Sequence, residues 1–491
     1  MLSLYLLPLV GITQFAGAAP VAPDVQKGFD AITVSDAKKW LGYLAGPECA
    51  GRGTGQPGFQ KAADFMAARF KQFGLKPAGE NDSYFQHLPF LRCRYDPART
   101  SLTLSDGSFK VKPEKDFTIK PGAKDIDITA SIAFIRGSGK IDLKDRESIK
   151  GKIAILWLAD GYYHNPAFSA VYGTALFTFV VVDKVVHQDW VAMRSGQSEA
   201  FLPGSPRMGY ITLAAAKKLA EQVRVTKEFW QKTVSPDTFT EAESDRPIHV
   251  EAKTQSESVG VPNVIGLLEG SDPVLRQEVV VIGAHLDHIG SDGGTVWWGA
   301  DDNGSGSTAL LGVAKAFSAN KMRPKRSVLF ISFCGEEIGL QGSNYFLSKP
   351  TWPLDKFVCY VNMDMVGRDM AGDQMGMSKV NHQASENQDT MSLEGAKETS
   401  VALESLILDV NRSVGFRFKK GAVDPLGGSD HTFFAQRGIP VASFFCGFTP
   451  DYHKPTDTID KIDFTKIANM AKLAYLAVMK VGTMTGPLPK N

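Results

Sequence analysis

Hydrophobic and polar positions follow two different rhythms along the chain. Near the front, apolar residues recur every three or four positions. Trp40, Leu41 and Leu44 follow Ser35, a residue able to cap a helix. Phe59, Ala62, Met66, Phe70 and Phe73 repeat that spacing, and Gly74 ends the run. Between the two helices Gly51-Arg52-Gly53-Thr54-Gly55 reads as a mobile loop. From about residue 258 the rhythm changes. Short apolar runs at 263–268, 279–284, 328–333, 357–362 and 440–445 read as strands. Helical patterns at 305–319, 401–414 and 463–480 alternate with them. This alternation predicts an α/β fold, a mixed but mostly parallel sheet flanked by helices. Residues 371–399 are polar and rich in Gly and Met, and read as a long loop over one face.

Residues 97–250 have another texture. They contain short strand-like runs near 153–158 and 176–182 and a helix near 214–223, with no cluster of His and carboxylates. The stretch reads as an inserted, smaller, β-rich domain without chemistry of its own. The predicted organisation is 30–96 as the first part of the main domain, 97–250 as the insertion and 251–485 as the catalytic part.

Composition narrows the function classes. Of 491 residues, 43% are hydrophobic and 22% charged, which is ordinary for a globular protein. Net charge is +1, so nothing suggests a nucleic-acid partner. No stretch of the mature chain approaches about 20 continuous apolar residues, so no membrane span is expected. Residues 1–19 carry an apolar run at 2–12 followed by Ala16-Gly17-Ala18, although no Lys or Arg precedes the run. They read as a secretory signal peptide, predicting a secreted or periplasmic protein. The five cysteines show no C-x-x-C spacing. Cys334, Cys359 and Cys446 lie in apolar runs and read as buried thiols, while Cys49 and Cys93 are free to pair.

The chemistry concentrates at strand ends, where open α/β sheets bind ligands. After 279–284 comes His285-Leu286-Asp287-His288, and Asp301-Asp302-Asn303 opens the next helix. Glu336-Glu337 follows 328–333, Asp364 follows 357–362, and Tyr452-His453 with Asp457 follows 440–445. Imidazoles with carboxylates suit zinc or a similar divalent ion. Two His and at least three carboxylates exceed the need of one tetrahedral ion and fit two ions sharing a carboxylate. The adjacent acids then divide their work. Glu337 binds metal, and Glu336 takes a proton from the activated water. Asp287, two residues from His285, is placed to accept its other ring N–H, and Asp457 stands in the same relation to His453. His288 falls on the opposite strand face from His285 and reads as structural. Asp301 or Asn303 can cap the helix, leaving Asp302 for metal.

These residues resemble a known family. His285-x-Asp287, Gly299-Ala300-Asp301-Asp302-Asn303-x-Ser305-Gly306, Gly335-Glu336-Glu337, Asn362-x-Asp364-Met365, Ser429-Asp430-His431 and Tyr452-His453-x-Pro455-x-Asp457-Thr458 are similar, in order and spacing, to the motifs of co-catalytic di-zinc exopeptidases. That family includes bacterial secreted aminopeptidases and glutamate carboxypeptidases. The resemblance covers 30–95 and 258–485. Residues 97–250 resemble the protease-associated domain that some members carry, best at Gly151-Lys152-Ile153-Ala154.

The resemblance implies two zinc ions, with cobalt or manganese as substitutes. Asp302 would bridge them. Glu337 and His453 would complete one ion, and His285 and Asp364 the other. Glu336 would be the general base, with Asp287 supporting the site. Tyr452 matches a tyrosine that stabilises the oxyanion in some members. Others carry theirs just before Ser-Asp-His, where Leu426 and Gly427 stand here. Asp430 and His431 read as structural. The implied reaction is attack of a metal-bound hydroxide on the first peptide bond of a peptide, as an aminopeptidase. The alternatives are a carboxypeptidase, with Arg368 as its one candidate clamp, a dipeptidase, a glutaminyl cyclase or an inactive binding protein.

Overall fold

The computed structural model describes residues 19–122, 124–137, 146–158, 166–185, 190–193, 207–231, 239–292, 294–368, 389–419 and 424–491. The expected signal peptide lies outside them but for its last residue, as does the expected loop up to 388.

Helices α1 (Pro23–Ala31), α2 (Val34–Leu44) and α3 (Pro57–Gln72) come first. The α2 cap is Thr33 rather than Ser35: its hydroxyl accepts the Asp36 N–H at 3.1 Å. The chain leaves on β1 (Phe85–Leu104) and passes through β2 (Ile126–Gly137), β3 (Ile153–Leu158), β4 (Phe177–Val182) and β5 (Met208–Thr212). It returns on β6 (Phe239–Leu268). Then follow β7 (Val279–His285), α4 (Gly306–Ala319), β8 (Ser327–Phe333), α5 (Gln341–Ser348), β9 (Phe357–Asp364) and β10 (Thr390–Glu394). The last elements are α6 (Val401–Asn411), β11 (Arg417–Lys419), α7 (His431–Gln436), β12 (Val441–Phe445) and α8 (Phe464–Thr483).

The strand order is β11-β10-β12-β9-β7-β8-β6, continuing into β2-β3-β4-β5. Strands β12, β9, β7 and β8 are mutually parallel, while β10 and β6 run antiparallel to their inner neighbours. Every residue of β7 and β8 is buried, which is why both read as continuous apolar runs rather than alternating ones. Val280 and Ile282 face a core shared with α4 and α8, and Val279 and Val281 face one shared with α5 and α7. Helices therefore cover both faces, as the alternation of patterns predicts.

Strands β1 and β6 pair from Phe85/Val264 to Leu104/Ile248 and carry the chain between the two parts of the sheet. Residues from Tyr95 to Ala252 pack into core clusters of their own.

Other expectations are corrected as well. The stretch read as loop to 399 folds from residue 390, as β10 and a helical turn at Ala396–Thr399. Antiparallel pairing with β12 supplies the partners that a five-residue run does not advertise. The Gly-rich segment at 51–55 is pinned rather than mobile. Arg52 is fully buried. Its Nε donates to the Leu286 carbonyl at 2.8 Å, Nη1 to Leu44 at 2.7 Å and Trp298 at 3.0 Å, and Nη2 to Gly299 at 2.8 Å. The five cysteines are all free and buried, so Cys49 and Cys93 do not pair. Among the described residues no helix is long and apolar enough to cross a membrane.

Arg52→Met removes the side-chain donor from four carbonyls. It is expected to cost roughly 3 kcal/mol or more and to lower the thermal unfolding midpoint measured by circular dichroism. Arg52→Lys should recover only part of the loss, because an ammonium cannot span the same fork.

Candidate metal centre

Four parallel strands end at one edge of the sheet, and each delivers polar groups there. His285 is the last residue of β7 and Asp364 the last of β9. Glu336 and Glu337 follow β8 by three and four residues, and Tyr452 and His453 lie in the loop after β12. Asp302 sits in the turn that precedes α4, where the Asp302–Asn303 peptide is cis. The Asn303 side chain caps α4 by accepting the Gly306 N–H at 2.9 Å, so Asp302 is free for other work.

The five expected metal donors converge. His285 Nε2 lies 3.2 Å from Asp364 Oδ1 and 3.5 Å from Asp302 Oδ1. His453 Nε2 lies 2.9 Å from Glu337 Oε2 and 3.2 Å from Asp302 Oδ2. The two Asp302 oxygens thus face two separate imidazole–carboxylate groups, as a shared carboxylate must. Glu336 Oε2 stands 3.9 Å from His285 Nε2. Donor atoms of His285, Asp302 and Asp364 fall within 4.8 Å of one another, and so do those of His288, Asp302 and Glu337. Asp302 Oδ2 is buried with no hydrogen-bond partner. An orphaned carboxylate oxygen among nitrogen and oxygen donors, with no thiolate, fits a zinc-type cation.

His288 lies among these groups rather than on the opposite strand face as expected. Strand alternation stops at His285, so His288 no longer obeys it. Its Nδ1 reaches Glu337 Oε1 at 2.7 Å and lies 3.5 Å from Asp302 Oδ2. The signal was present as two histidines three residues apart around Asp287. Gly299 makes room for the ring: at φ +57° it carries no Cβ, and one would stand 2.5 Å from His288.

A second layer fixes these groups. Asp287 Oδ2 accepts the Thr54 hydroxyl at 2.7 Å, and its oxygens accept the N–H of Glu336 at 3.1 Å and of Glu337 at 3.3 Å. The His285 Nδ1 meets the Asp287 main-chain carbonyl at 3.2 Å, with the carboxylate at 3.8 Å. Asp287 thus orients His285 through its backbone and the two glutamates through its side chain. Asp457 does not serve His453 as expected. It accepts the N–H groups of Asp301, at 3.0 and 3.1 Å, and of Asp302, at 3.1 Å.

Electrostatics separate the paired acids. Burial pushes Glu336 well above the usual carboxylate range, and Glu337 and Asp364 add to the shift. Burial acts on Glu337 in the same sense, but His453 and His288 outweigh it and hold Glu337 well below that range. One neighbour is thereby disposed to hold a proton and the other to stay ionised. Burial opposes charge on His285, yet Glu336 and Asp364 raise its pKa well above the ordinary value. Burial, then Asp302 and Glu337, keep the Tyr452 hydroxyl protonated.

A cavity opens beside the donors. Tyr452, Phe448, Phe445, Ser429, His431 and Glu394 are among the residues of its wall. His431, expected to be structural, reaches this wall, and burial lowers its pKa to about 4. Asp430 is fully buried. Arg368 does not line the cavity; its Nη2 pairs with Asp451 at 3.2 Å.

Comparison with known proteins agrees with this arrangement. Residues 263–478 match the sequence profile of Peptidase family M28. The chain is 25% identical over 448 residues to a probable leucine aminopeptidase 2 of Aspergillus oryzae, covering 85% of this chain and 78% of that one. It is 28% identical over 263 residues to a probable lipoprotein aminopeptidase, LpqL, of Mycobacterium tuberculosis, covering 49% of this chain and 50% of that one. In structure it is similar to BSAP, a zinc aminopeptidase from Bacillus subtilis, with a TM-score of 0.59, 18% identity and coverage of 91% and 95%. The fold expected of a zinc exopeptidase is the fold observed.

Asp287→Asn should weaken zinc binding about 10- to 100-fold, read by competition with a chromophoric chelator. An unchanged affinity would remove Asp287 from the centre.

Proposed function

We propose that this chain, which carries the profile of Peptidase family M28 in residues 263–478, is a zinc-dependent aminopeptidase that binds two zinc ions. The observation that carries the choice among exopeptidases is the lining of the cavity. Carboxylates of Asp302, Glu336, Asp364 and Glu394 face it, and among the described residues no Lys or Arg does. Such a wall attracts a free amino terminus and repels a carboxyl terminus. Arg368, the one candidate clamp for a carboxypeptidase, is engaged with Asp451. The gathering of all five donors argues against a one-zinc cyclase and against an inactive relative.

In this reading His285, Asp302 and Asp364 hold one ion, and Asp302, Glu337 and His453 hold the other, with His288 steadying Glu337. When bound, the ions lower the pKa of a water and polarise the scissile carbonyl. Glu336 takes the proton from the attacking water and returns it to the departing amine. Its raised proton affinity suits both steps. Tyr452, kept protonated, donates to the carbonyl oxygen as negative charge develops there. Asp287 keeps Glu336 and Glu337 in register by holding their backbone N–H groups.

Residues 97–250 serve in this reading as an inserted protease-associated domain. The apolar run at residues 2–12 and the small residues after it support an exported enzyme.

The test compares a short peptide with a free amino terminus and its N-acetylated twin. The free peptide should lose its first residue, the acetylated one should resist, and a chelator should stop the reaction. Glu336→Gln should lower kcat by roughly 10²–10⁴-fold while two zinc ions per chain remain by elemental analysis. Trimming of the acetylated peptide from its carboxyl end would instead make the enzyme a carboxypeptidase.

A further inference from the structure

One buried acid in the cavity has no part in the metal centre. Glu394 is the last residue of β10 and only 6% exposed. On the antiparallel ladder it stands opposite Ser443, and Ser392 stands opposite Phe445. On the parallel ladder Ser443 stands opposite Asn362 and Phe445 opposite Asp364. Residues directly paired across strands share a face, so Glu394 and Asp364 look into the same space. Two strand spacings and two residues along the strand separate their backbones, roughly 12 Å, and Glu394 belongs to neither of the two groups of converging donors.

The surroundings of Glu394 ask for a cation. Its Oε1 accepts the Ser392 hydroxyl at 3.1 Å. Among the described residues no Lys or Arg pairs with it. Burial raises its pKa to about 7. A carboxylate withdrawn from water without a cation is costly, unless the cation arrives from outside. Phe445 and Phe448, with ring centroids 5.1 Å apart, line the same cavity. Aromatic faces accommodate the three- or four-methylene stem of Arg or Lys and attract its charged head. Gly427 and Gly428 also line the cavity and contribute no side chain to it.

We propose that Glu394 closes the pocket for the first side chain of the substrate and selects peptides that begin with lysine or arginine. This rests on the aminopeptidase reading and gives it a substrate class. An apolar first residue would leave the Glu394 carboxylate buried against hydrocarbon. A basic one would meet it with a charge-assisted hydrogen bond.

The test measures kcat/KM on the p-nitroanilides of lysine, arginine and leucine for the zinc-loaded enzyme, for Glu394→Gln and for Glu394→Leu. The wild type should favour the two basic substrates over leucine by at least about tenfold. Glu394→Gln should reduce the lysine-to-leucine ratio at least about tenfold, and Glu394→Leu should invert it as leucine turnover rises. Both variants are judged on a ratio, so a general loss of folded enzyme does not imitate the result. A wild type that favours leucine, with a ratio that neither variant moves, overturns the pocket assignment and leaves the aminopeptidase standing. Failure of the wild type to cleave any of the three overturns the aminopeptidase reading, and the assignment falls with it.

Discussion

Acidic groups that repel one another are held together here in a nearly dry place. Asp287, Asp301, Asp302, Asp364, Asp430 and Asp457 are all buried at one edge of the sheet, with Glu336 and Glu337 beside them. Like charges at such distances in low dielectric are strongly unfavourable. The fold meets this partly with His285, His288 and His453, and partly with backbone N–H groups. What it leaves unmet, such as Asp302 Oδ2, is the electrostatic opening for divalent cations. A frame of hydrogen bonds holds these groups in place.

The frame works by tying distant segments to one another. Arg52 takes carbonyls from the turn after β7 and from the turn before α4, so the segments that carry His285, His288 and Asp302 share one anchor. Asp287 ties the end of β7 to the start of the turn after β8. Asp457 brings the loop after β12 onto the amides of the Asp302 turn. Each is a charged group whose partners are mostly main chain, which positions backbone rather than merely balancing charge. Metal donors need that rigidity, because coordination distances tolerate only a few tenths of an ångström.

The same end of the sheet holds two groups of residues. Strands β7, β8 and β9 lead to the converging imidazoles and carboxylates. Strands β10 and β12, farther toward the edge, carry Glu394 and Phe445, which line the cavity.

The sequence by itself located the five core strands and the three long helices of residues 258–485, because buried strands appear as unbroken apolar runs. It also singled out His285, Asp302, Glu336, Glu337, Asp364 and His453, which the structure brings together, because strand ends are where such a sheet gathers its polar groups. Tertiary structure alone decided the rest. His288 escapes strand alternation because the strand stops three residues earlier. Arg52 looks like part of a flexible Gly-rich loop until the carbonyls of Leu286, Trp298 and Gly299, more than two hundred residues away, are brought around it. Asp457 looks like a partner for His453 until the turn before α4 offers it two amides. Glu394 lies in a run too short and too polar to announce a strand, and only pairing with β12 aims it into the cavity. In each case the deciding partner is distant along the chain, and local pattern carries no record of it.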